Sequence, residues 1–193
     1  MEPQRENGRQ RVAELMQAAA DVIQERGFEA ATMAEIAARA DAKIGSLYRF
    51  FPNKDAIADA LMQNYSEILE AEYQGVIARA AALPVDELAD TLIDLLVKTH
   101  PKLRAYAALL DSRTDWTDIR LRFREQAVGG VLAALQANAP HLGQAEGRDI
   151  ATMVLNNMKT MVGITFGDAP TTGNAPAELR LMNRLYLNNR LRP

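Results

Sequence analysis

The sequence of 193 residues has no cysteine, which excludes disulfide bonds, thiolate metal ligands and a cysteine redox switch. It also lacks an apolar run long enough to span a bilayer, so we expect no membrane segment. The first residues, MEPQRENGRQR, have no apolar stretch of the kind that a signal peptide needs, which favours a cytoplasmic protein. With 48% hydrophobic and 24% charged residues, the chain has the composition of a protein that buries its own core.

Signatures of common enzymes are absent too. The sequence contains no HExxH, no GxSxG and no glycine-rich phosphate-binding loop. Its two histidines, His100 and His141, both lie beside prolines at predicted helix ends, where a solvent-exposed cap is the ordinary explanation. We therefore expect a protein that is not an enzyme and that uses no cofactor and no metal.

Positive charge is concentrated in one segment. The net charge of −3 argues against a protein that coats nucleic acid indiscriminately. From residue 39 to residue 54, however, four basic residues are opposed only by Asp41, and Arg9 and Arg11 add a basic N-terminal arm. This distribution predicts modest non-specific affinity for DNA and reliance on a dimer and a specific site. The four basic residues are Arg39, Lys43, Arg49 and Lys54.

The same segment predicts two short helices joined by a tight turn. Thr32 and Glu35 have the spacing of a capping box, which marks the start of a helix. Asp41 tolerates unusual backbone angles and can turn the chain about two helical turns later. A second short helix follows over roughly Ile44 to Phe50. Two short helices across a tight turn predict a helix-turn-helix.

The second of these helices has the properties of a helix that enters DNA. Leu47 is expected to point inward, whereas Gly45 and Ser46 are small enough for the backbone to approach the wall of the major groove. Asn53 is then a good N-cap for a further helix, beside Lys54. Such a helix N-terminus favours a phosphate group.

These residues resemble the tetracycline-repressor (TetR) family of transcriptional regulators, over about the first third of the chain. The chain departs from the family's pattern at Asp41, where glycine is usual, at Lys43, where serine or threonine is usual, and at Phe50, where histidine or tyrosine is common. The operator sequence therefore does not transfer from relatives. The matching positions are Thr32, Ile36, Ala37, Ala40, Gly45, Ser46, Leu47, Tyr48, Phe51 and Lys54.

The resemblance implies contacts between several of these residues and DNA. Lys43 and Arg49 are added to them on the basis of exposure and charge alone. The expected phosphate contacts are Thr32, Lys43, Tyr48 and Lys54. The residues expected nearest the base edges are Ile44, Gly45, Ser46 and Arg49.

Hydrophobic periodicity predicts an all-α chain of about nine helices. The resemblance implies that residues 1–52 are a three-helix DNA-binding head with the helix-turn-helix and that residues 53–193 are a helical bundle for ligand binding and dimerisation. We expect residues 1–8 to be disordered or to become ordered only against DNA, and Gly27 to end the first helix. The expected later helices include about 101–110, 115–138, 144–166 and 177–191.

The last two helices are apolar on more than one side, which indicates burial from more than one direction. Both could be central helices of a monomer, but because they are terminal in the chain a second subunit is the more natural cover. The resemblance implies that they pair as a four-helix interface in a homodimer, which would read a palindromic operator. The candidate interface residues are Ile150, Val154, Met158, Met161, Leu179, Met182, Leu185 and Tyr186.

The resemblance also implies a site for a small apolar or aromatic effector among the later helices. Aromatic and flexible apolar side chains typically line such sites, although core packing is the better explanation of each of them taken alone. The candidate lining residues are Tyr65, Tyr106, Trp116, Phe123, Met153, Met158 and Phe166.

Taken together, these patterns predict a homodimeric repressor that binds double-stranded DNA and leaves its operator when a small molecule binds. One alternative is a DNA-binding regulator without an effector, which acts through protein partners or DNA architecture. The other alternative is a helical interaction protein or enzyme that contains a helix pair by chance.

Overall fold

A computed structural model describes residues 3–112, 117–167 and 173–192 of the chain. The described residues form nine α-helices and one short 3-10 helix without any strand, which confirms the all-α prediction. None of the described helices is both long and apolar enough to cross a bilayer. The helices are α1 (Pro3–Arg26), α2 (Met33–Arg39), α3 (Ile44–Phe50), α4 (Lys54–Ala80), α5 (Val85–Thr99), the 3-10 helix (His100–Lys102), α6 (Tyr106–Ser112), α7 (Thr117–Asn138), α8 (Gln144–Phe166) and α9 (Ala175–Arg190).

Two helix starts differ from the sequence-based expectation. The sequence predicted that residues 1–8 are disordered or become ordered only against DNA, whereas α1 already begins at Pro3, and proline suits the first turn of a helix. The sixth helix begins at Tyr106 rather than at residue 101, because the chain after α5 first forms the 3-10 helix. Gly27 ends α1 as predicted, with a positive φ of 78°.

The chain divides into two compact units, and α4 contributes residues to both. The first unit contains residues 1–66 and 103–118, and the second contains residues 67–102 and 119–193. The division therefore falls within α4, whereas the boundary after residue 52 remains a prediction about function.

The first unit has a small core formed by α1, α2 and α3. Leu15, Ile23, Ile36 and Leu47 are fully buried, and Phe28 is almost fully buried in the link after α1. Each such side chain contributes roughly 1.5–3 kcal/mol through removal of its apolar surface from water. This core fixes the inner face of α3, so its opposite face is the one presented outward.

In the second unit, α5 packs against both α8 and α9. Leu88, Leu92 and Ile93 of α5 are completely buried. Polar pairs flank this core in antiparallel register. Along α5 the acids recur every four residues, and so do their partners along α9. The pairs are Asp94 with Arg180, Asp90 with Arg184, and Asp86 with Asn188.

Candidate nucleic-acid interface

A capping box fixes the start of α2. The backbone N–H of Glu35 donates to Thr32 Oγ1 at 3.2 Å, and the backbone N–H of Thr32 donates to the Glu35 carboxylate at 3.1 Å. The hydroxyl of Thr32 also donates to Glu35 Oε2 at 2.8 Å, and this bond is the largest reason that the pKa of Glu35 is lowered. The capping box is thus confirmed. A hydrogen bond from Thr32 to a phosphate stays a prediction, and it would require the hydroxyl to leave Glu35.

Asp41 turns the chain between α2 and α3 with a left-handed backbone. Its φ is 45°, a conformation that no other described residue except glycine adopts. The N–H of Ala42 donates to the Ala37 carbonyl at 2.9 Å, and the N–H of Asp41 donates to the Ala38 carbonyl at 3.1 Å. This pair of bonds is a Schellman motif, in which the left-handed position is usually glycine. The sequence-based placement of the turn at Asp41 is confirmed.

The outer face of α3 is exposed and partly apolar. Leu47 is buried, while Ile44 is 46% exposed and Tyr48 is 49% exposed one helical turn further on. No described heavy atom lies within 4 Å of the place where a Cβ on Gly45 would be. The packing of the protein itself therefore does not require glycine at this position, whereas close approach of an external surface would. Arg49 is exposed and lies 5.0 Å from the centre of the Phe50 ring.

The beginning of α4 lies against the link between α1 and α2. Asn53 Oδ1 accepts from the N–H of Ala56 at 2.8 Å, which confirms Asn53 as the N-cap. Lys54 Nζ donates to the carbonyl oxygens of Phe28 and Glu29 at 2.5 and 2.9 Å, and it lies 4.5 Å from the centre of the Phe28 ring. The Lys54 ammonium therefore has an internal structural role as well, with one N–H left for the predicted phosphate contact.

Two of the basic residues counted in the sequence bond inside the head rather than extending from it. Arg39 makes a bidentate pair with Glu25, with distances of 2.9 and 2.7 Å. Arg11 donates to the carbonyl oxygens of Ala40 and Asp41, so the prediction of a free basic arm is wrong for this residue. Sequence patterns gave no indication of this contact, because its partners are 29 and 30 residues away. Lys43 and Arg49 remain exposed at the two ends of α3.

Five of the eight predicted dimer residues are buried within this chain. Four of them lie on α8, which packs against α5 and α9 of the same chain, so their role in a dimer interface stays a prediction. On α9, Leu179 is also buried and Tyr186 is half-buried. Met182 is 49% exposed and Leu185 is 63% exposed, next to an exposed Leu181 that the prediction missed. The four α8 residues, at most 1% exposed, are Ile150, Val154, Met158 and Met161.

The candidate effector residues are divided between the two compact units of the chain. In the first unit, the rings of Tyr65 and Tyr106 meet edge to face at 6.4 Å, and Tyr65 Oη accepts from the N–H of Ala105 at 3.3 Å. Burial raises the pKa of Tyr106 to about 12. Trp116 lies outside the described residues.

In the second unit, Phe123 and Met158 are buried. Met153 and Phe166 are about half exposed, and their role in lining an effector site stays a prediction. The ring of Phe166 stacks on that of His100, with the ring centres 4.3 Å apart.

A capped helix, a left-handed turn and a second helix with an exposed outer face define a helix-turn-helix protein. Residues 15–61 match the sequence profile of the bacterial regulatory proteins of the tetR family. The solved structure of a TetR-family transcriptional regulator from Streptomyces coelicolor is 26% identical, with a TM-score of 0.62 over 94% of this chain and 99% of that chain. Residues 15–61 of this chain therefore resemble the tetR family of bacterial regulatory proteins.

Two further similar proteins have more specific names. The transcriptional repressor KstR2 of Mycobacterium tuberculosis is 35% identical over 78 residues, which are 40% of this chain and 38% of that protein. The regulator FadR of Bacillus subtilis, solved in complex with stearoyl-CoA, shares the fold with a TM-score of 0.62 and 16% identity, over 93% of this chain and 97% of that chain. The chain spans only 22% to 48% of the length of the curated relatives that it matches.

Proposed function

We propose that this protein is a sequence-specific transcriptional repressor that binds a palindromic DNA operator as a homodimer and is released by a small molecule. The observation that carries the proposal is the outer face of α3. Ile44 and Tyr48 are about half exposed on it, and Gly45 has open space where a side chain would be. A helix buried along one side and open along the other fits the major groove, which admits a single helix.

Residue roles at DNA follow from these positions. Ile44, Gly45, Ser46 and Arg49 would lie nearest the base edges, and an exposed Ile44 would suit the methyl group of a thymine. Thr32, Lys43, Tyr48 and Lys54 would contact phosphates. Phosphate contacts fix the register of the protein on the duplex, whereas base contacts select the sequence.

Dimerisation would involve the three exposed apolar residues of α9, Leu181, Met182 and Leu185, hereafter the α9 patch. Large exposed apolar side chains grouped on one helix are typical of an interaction surface. Two heads related by a two-fold axis would read half-sites about one helical turn apart, roughly 34–36 Å. A protein with this role acts where the DNA is, in the cytoplasm.

Effector release would work through a population shift. A small apolar or aromatic molecule would bind better to a state whose heads are too far apart for adjacent half-sites, and DNA would favour the other state. The similar protein FadR, solved with stearoyl-CoA, supports an effector with an apolar part. The name of KstR2, a repressor, supports repression rather than activation.

The test is selection of binding sites from random duplex DNA by the purified full-length protein at physiological salt. We expect enrichment of a palindrome, because specific binding normally exceeds non-specific binding by at least about a thousandfold. The double variant Ile44→Ala/Tyr48→Ala should lose the enrichment. A matched control is Gln24→Ala, an exposed position on α1 of the same unit, which should select the same palindrome.

Each alternative predicts a different result. A helical interaction protein or an enzyme would enrich no sequence although the protein is folded. A regulator without an effector would enrich a palindrome, but no compound in a screen of small apolar molecules would lower its affinity for that site.

A further inference from the structure

The left-handed turn at Asp41 sets the direction in which α3 begins. A residue with a Cβ is disfavoured in this conformation, although aspartate tolerates it better than most. Two residues later, Lys43 is the N-cap of α3, and no described side chain makes a capping hydrogen bond there. The entry into α3 therefore depends on the backbone of the turn rather than on a local cap.

Arg11 of α1 holds this turn from outside. Its Nη1 donates to the Ala40 carbonyl at 3.2 Å, and its Nη2 donates to the Asp41 carbonyl at 3.0 Å. These carbonyls lie at the C-terminal end of α2, where helix carbonyls lack intrahelical partners and a positive charge is favourable. The guanidinium thus bonds to the carbonyl of the left-handed residue and to the carbonyl just before it.

A second contact orients the guanidinium. Arg11 Nη1 also donates to Glu14 Oε2 at 2.8 Å, and Gln10 Nε2 donates to Glu14 Oε1 at 3.2 Å. The hydrogen bond from Arg11 is the largest reason that the pKa of Glu14 is lowered. Glu14, Arg11 and the turn therefore form one chain of contacts from the surface of α1 to the residues that precede α3.

We propose that Arg11 is a positioning residue for DNA recognition, whose guanidinium holds the Ala40 and Asp41 carbonyls and so fixes the left-handed turn and the orientation of α3. The inference rests on the proposed function, because it concerns the fit of α3 to an operator. It assigns Arg11 to the inside of the head rather than to a phosphate. The planar fork of arginine presents Nη1 to one carbonyl and Nη2 to the other in a fixed geometry, which the flexible ammonium of a lysine at this position would not reproduce.

The test compares operator binding by the full-length protein and its variants over a range of salt concentrations. Arg11→Met and Arg11→Lys should each weaken operator binding by roughly tenfold, since two charge-assisted hydrogen bonds are lost. The slope of log affinity against log salt should stay unchanged, because no phosphate contact is removed. Arg9→Met removes an exposed positive charge of the N-terminal arm two residues away on the same helix, so it measures what the loss of charge alone does to operator affinity and to the salt slope.

A substitution at the turn provides the second arm. Asp41→Gly removes the cost of the left-handed backbone, so the turn should need less support from Arg11. In that background, Arg11→Met should weaken operator binding by no more than about twofold, and the difference between the two backgrounds measures the coupling. Hydrogen exchange of the α3 amides should accelerate in Arg11→Met alone and should return toward the wild-type rate in the double variant.

Several results would overturn the inference. A salt slope lowered by about one in Arg11→Met would assign Arg11 to a phosphate. If Arg9→Met weakens operator binding as much as Arg11→Met does, the effect comes from the loss of charge alone. If Arg11→Met weakens binding equally with and without Asp41→Gly, Arg11 does not act through the turn. If wild-type protein selects no operator, the proposed function itself fails. If wild type selects one and Arg11→Met binds it equally well, only the role of Arg11 fails.

Discussion

At the scale of single residues, the DNA-binding head depends on hydrogen bonds between groups that are no more than three residues apart in the sequence. Thr32→Ala removes the N-cap of α2 and should lower the free energy of unfolding by about 1 kcal/mol near neutral pH. Glu35 has a lowered pKa, so its contribution is fully present above its unfolded value of 4.5 and is lost as the pH falls through the lower folded value.

The difference in unfolding free energy between wild type and Thr32→Ala should therefore narrow at acid pH, which chemical denaturation at pH 7 and at about pH 3 would measure. Glu35→Gln keeps the geometry of the capping box but cannot titrate, so it is the control for the pH dependence. A difference that stays constant across this range would contradict the assignment.

Lys54 has contacts that connect folding and DNA binding in one side chain. Lys54→Ala removes the donor from the carbonyls of Phe28 and Glu29, so the unfolding temperature should fall. If its remaining N–H contacts a phosphate, affinity for all DNA sequences should fall as well, with a salt slope lower by about one.

The matched substitution is Lys43→Ala. Its side chain is exposed at the N-cap of α3, so it should lower the salt slope without changing the unfolding temperature. Titrations of labelled duplex at several salt concentrations measure both slopes. An unchanged slope for Lys54→Ala would leave this residue with a structural role alone.

The sequence was sufficient to predict those features of the head that contacts between neighbouring residues determine. The capping box, the left-handed Asp41 and the Asn53 cap each involve groups within a few positions, so the sequence was sufficient for all three. The contact of Arg11 with the turn was not predicted, because a basic residue near the start of a helix gives the same sequence pattern whether its partner is a phosphate or a carbonyl 30 residues away.

At the scale of helices, periodicity identified faces correctly but not what covers them. Ile150, Val154, Met158 and Met161 do lie on one side of α8, as their spacing predicted. Because all four residues are buried within the chain, that side is internal. A stripe of apolar residues shows that something covers it, whereas the identity of the neighbour depends on the tertiary arrangement. Helix bounds were most predictable where a turn residue stood at each end, as in α3.

The polar pairs between α5 and α9 predict a measurable coupling between these helices. Arg184 makes two hydrogen bonds to the Asp90 carboxylate, which raise the pKa of Arg184. Both side chains are partly exposed, so a double-mutant cycle with Asp90→Ala and Arg184→Ala should give only a small favourable coupling.

That coupling should decrease when the salt concentration is raised, because solvent ions screen partly exposed charges. Urea denaturation of the wild type, the two single variants and the double variant measures it. Glu87→Ala, at an exposed position on α5, is the control and should not couple to Arg184→Ala. Strictly additive losses for Asp90 and Arg184 would show that the pair contributes nothing to the association of the two helices.

For the whole molecule, the number of heads that reach DNA determines the affinity. A single head has a local basic charge around α3 within a chain of net charge −3, so one head alone would bind weakly. When two heads belong to one dimer, binding of the second head to DNA becomes intramolecular. This raises the affinity by roughly 10² to 10⁴ even though each head makes the same contacts as before. Dimerisation is therefore the property of the whole molecule on which the proposed repression depends most strongly.

The α9 patch provides the corresponding test. Leu185→Glu places a charge at the most exposed large apolar residue of the described chain, and it should convert a dimer into a folded monomer. Operator affinity should fall by at least about a hundredfold, because only one half-site is bound at a time. Leu121→Glu on α7, where the leucine is 54% exposed, is the matched control and should remain dimeric. Sedimentation equilibrium measures the mass of each variant, and circular dichroism shows whether it is folded. A Leu185→Glu protein that stays dimeric with wild-type operator affinity would show that the interface lies elsewhere than on α9.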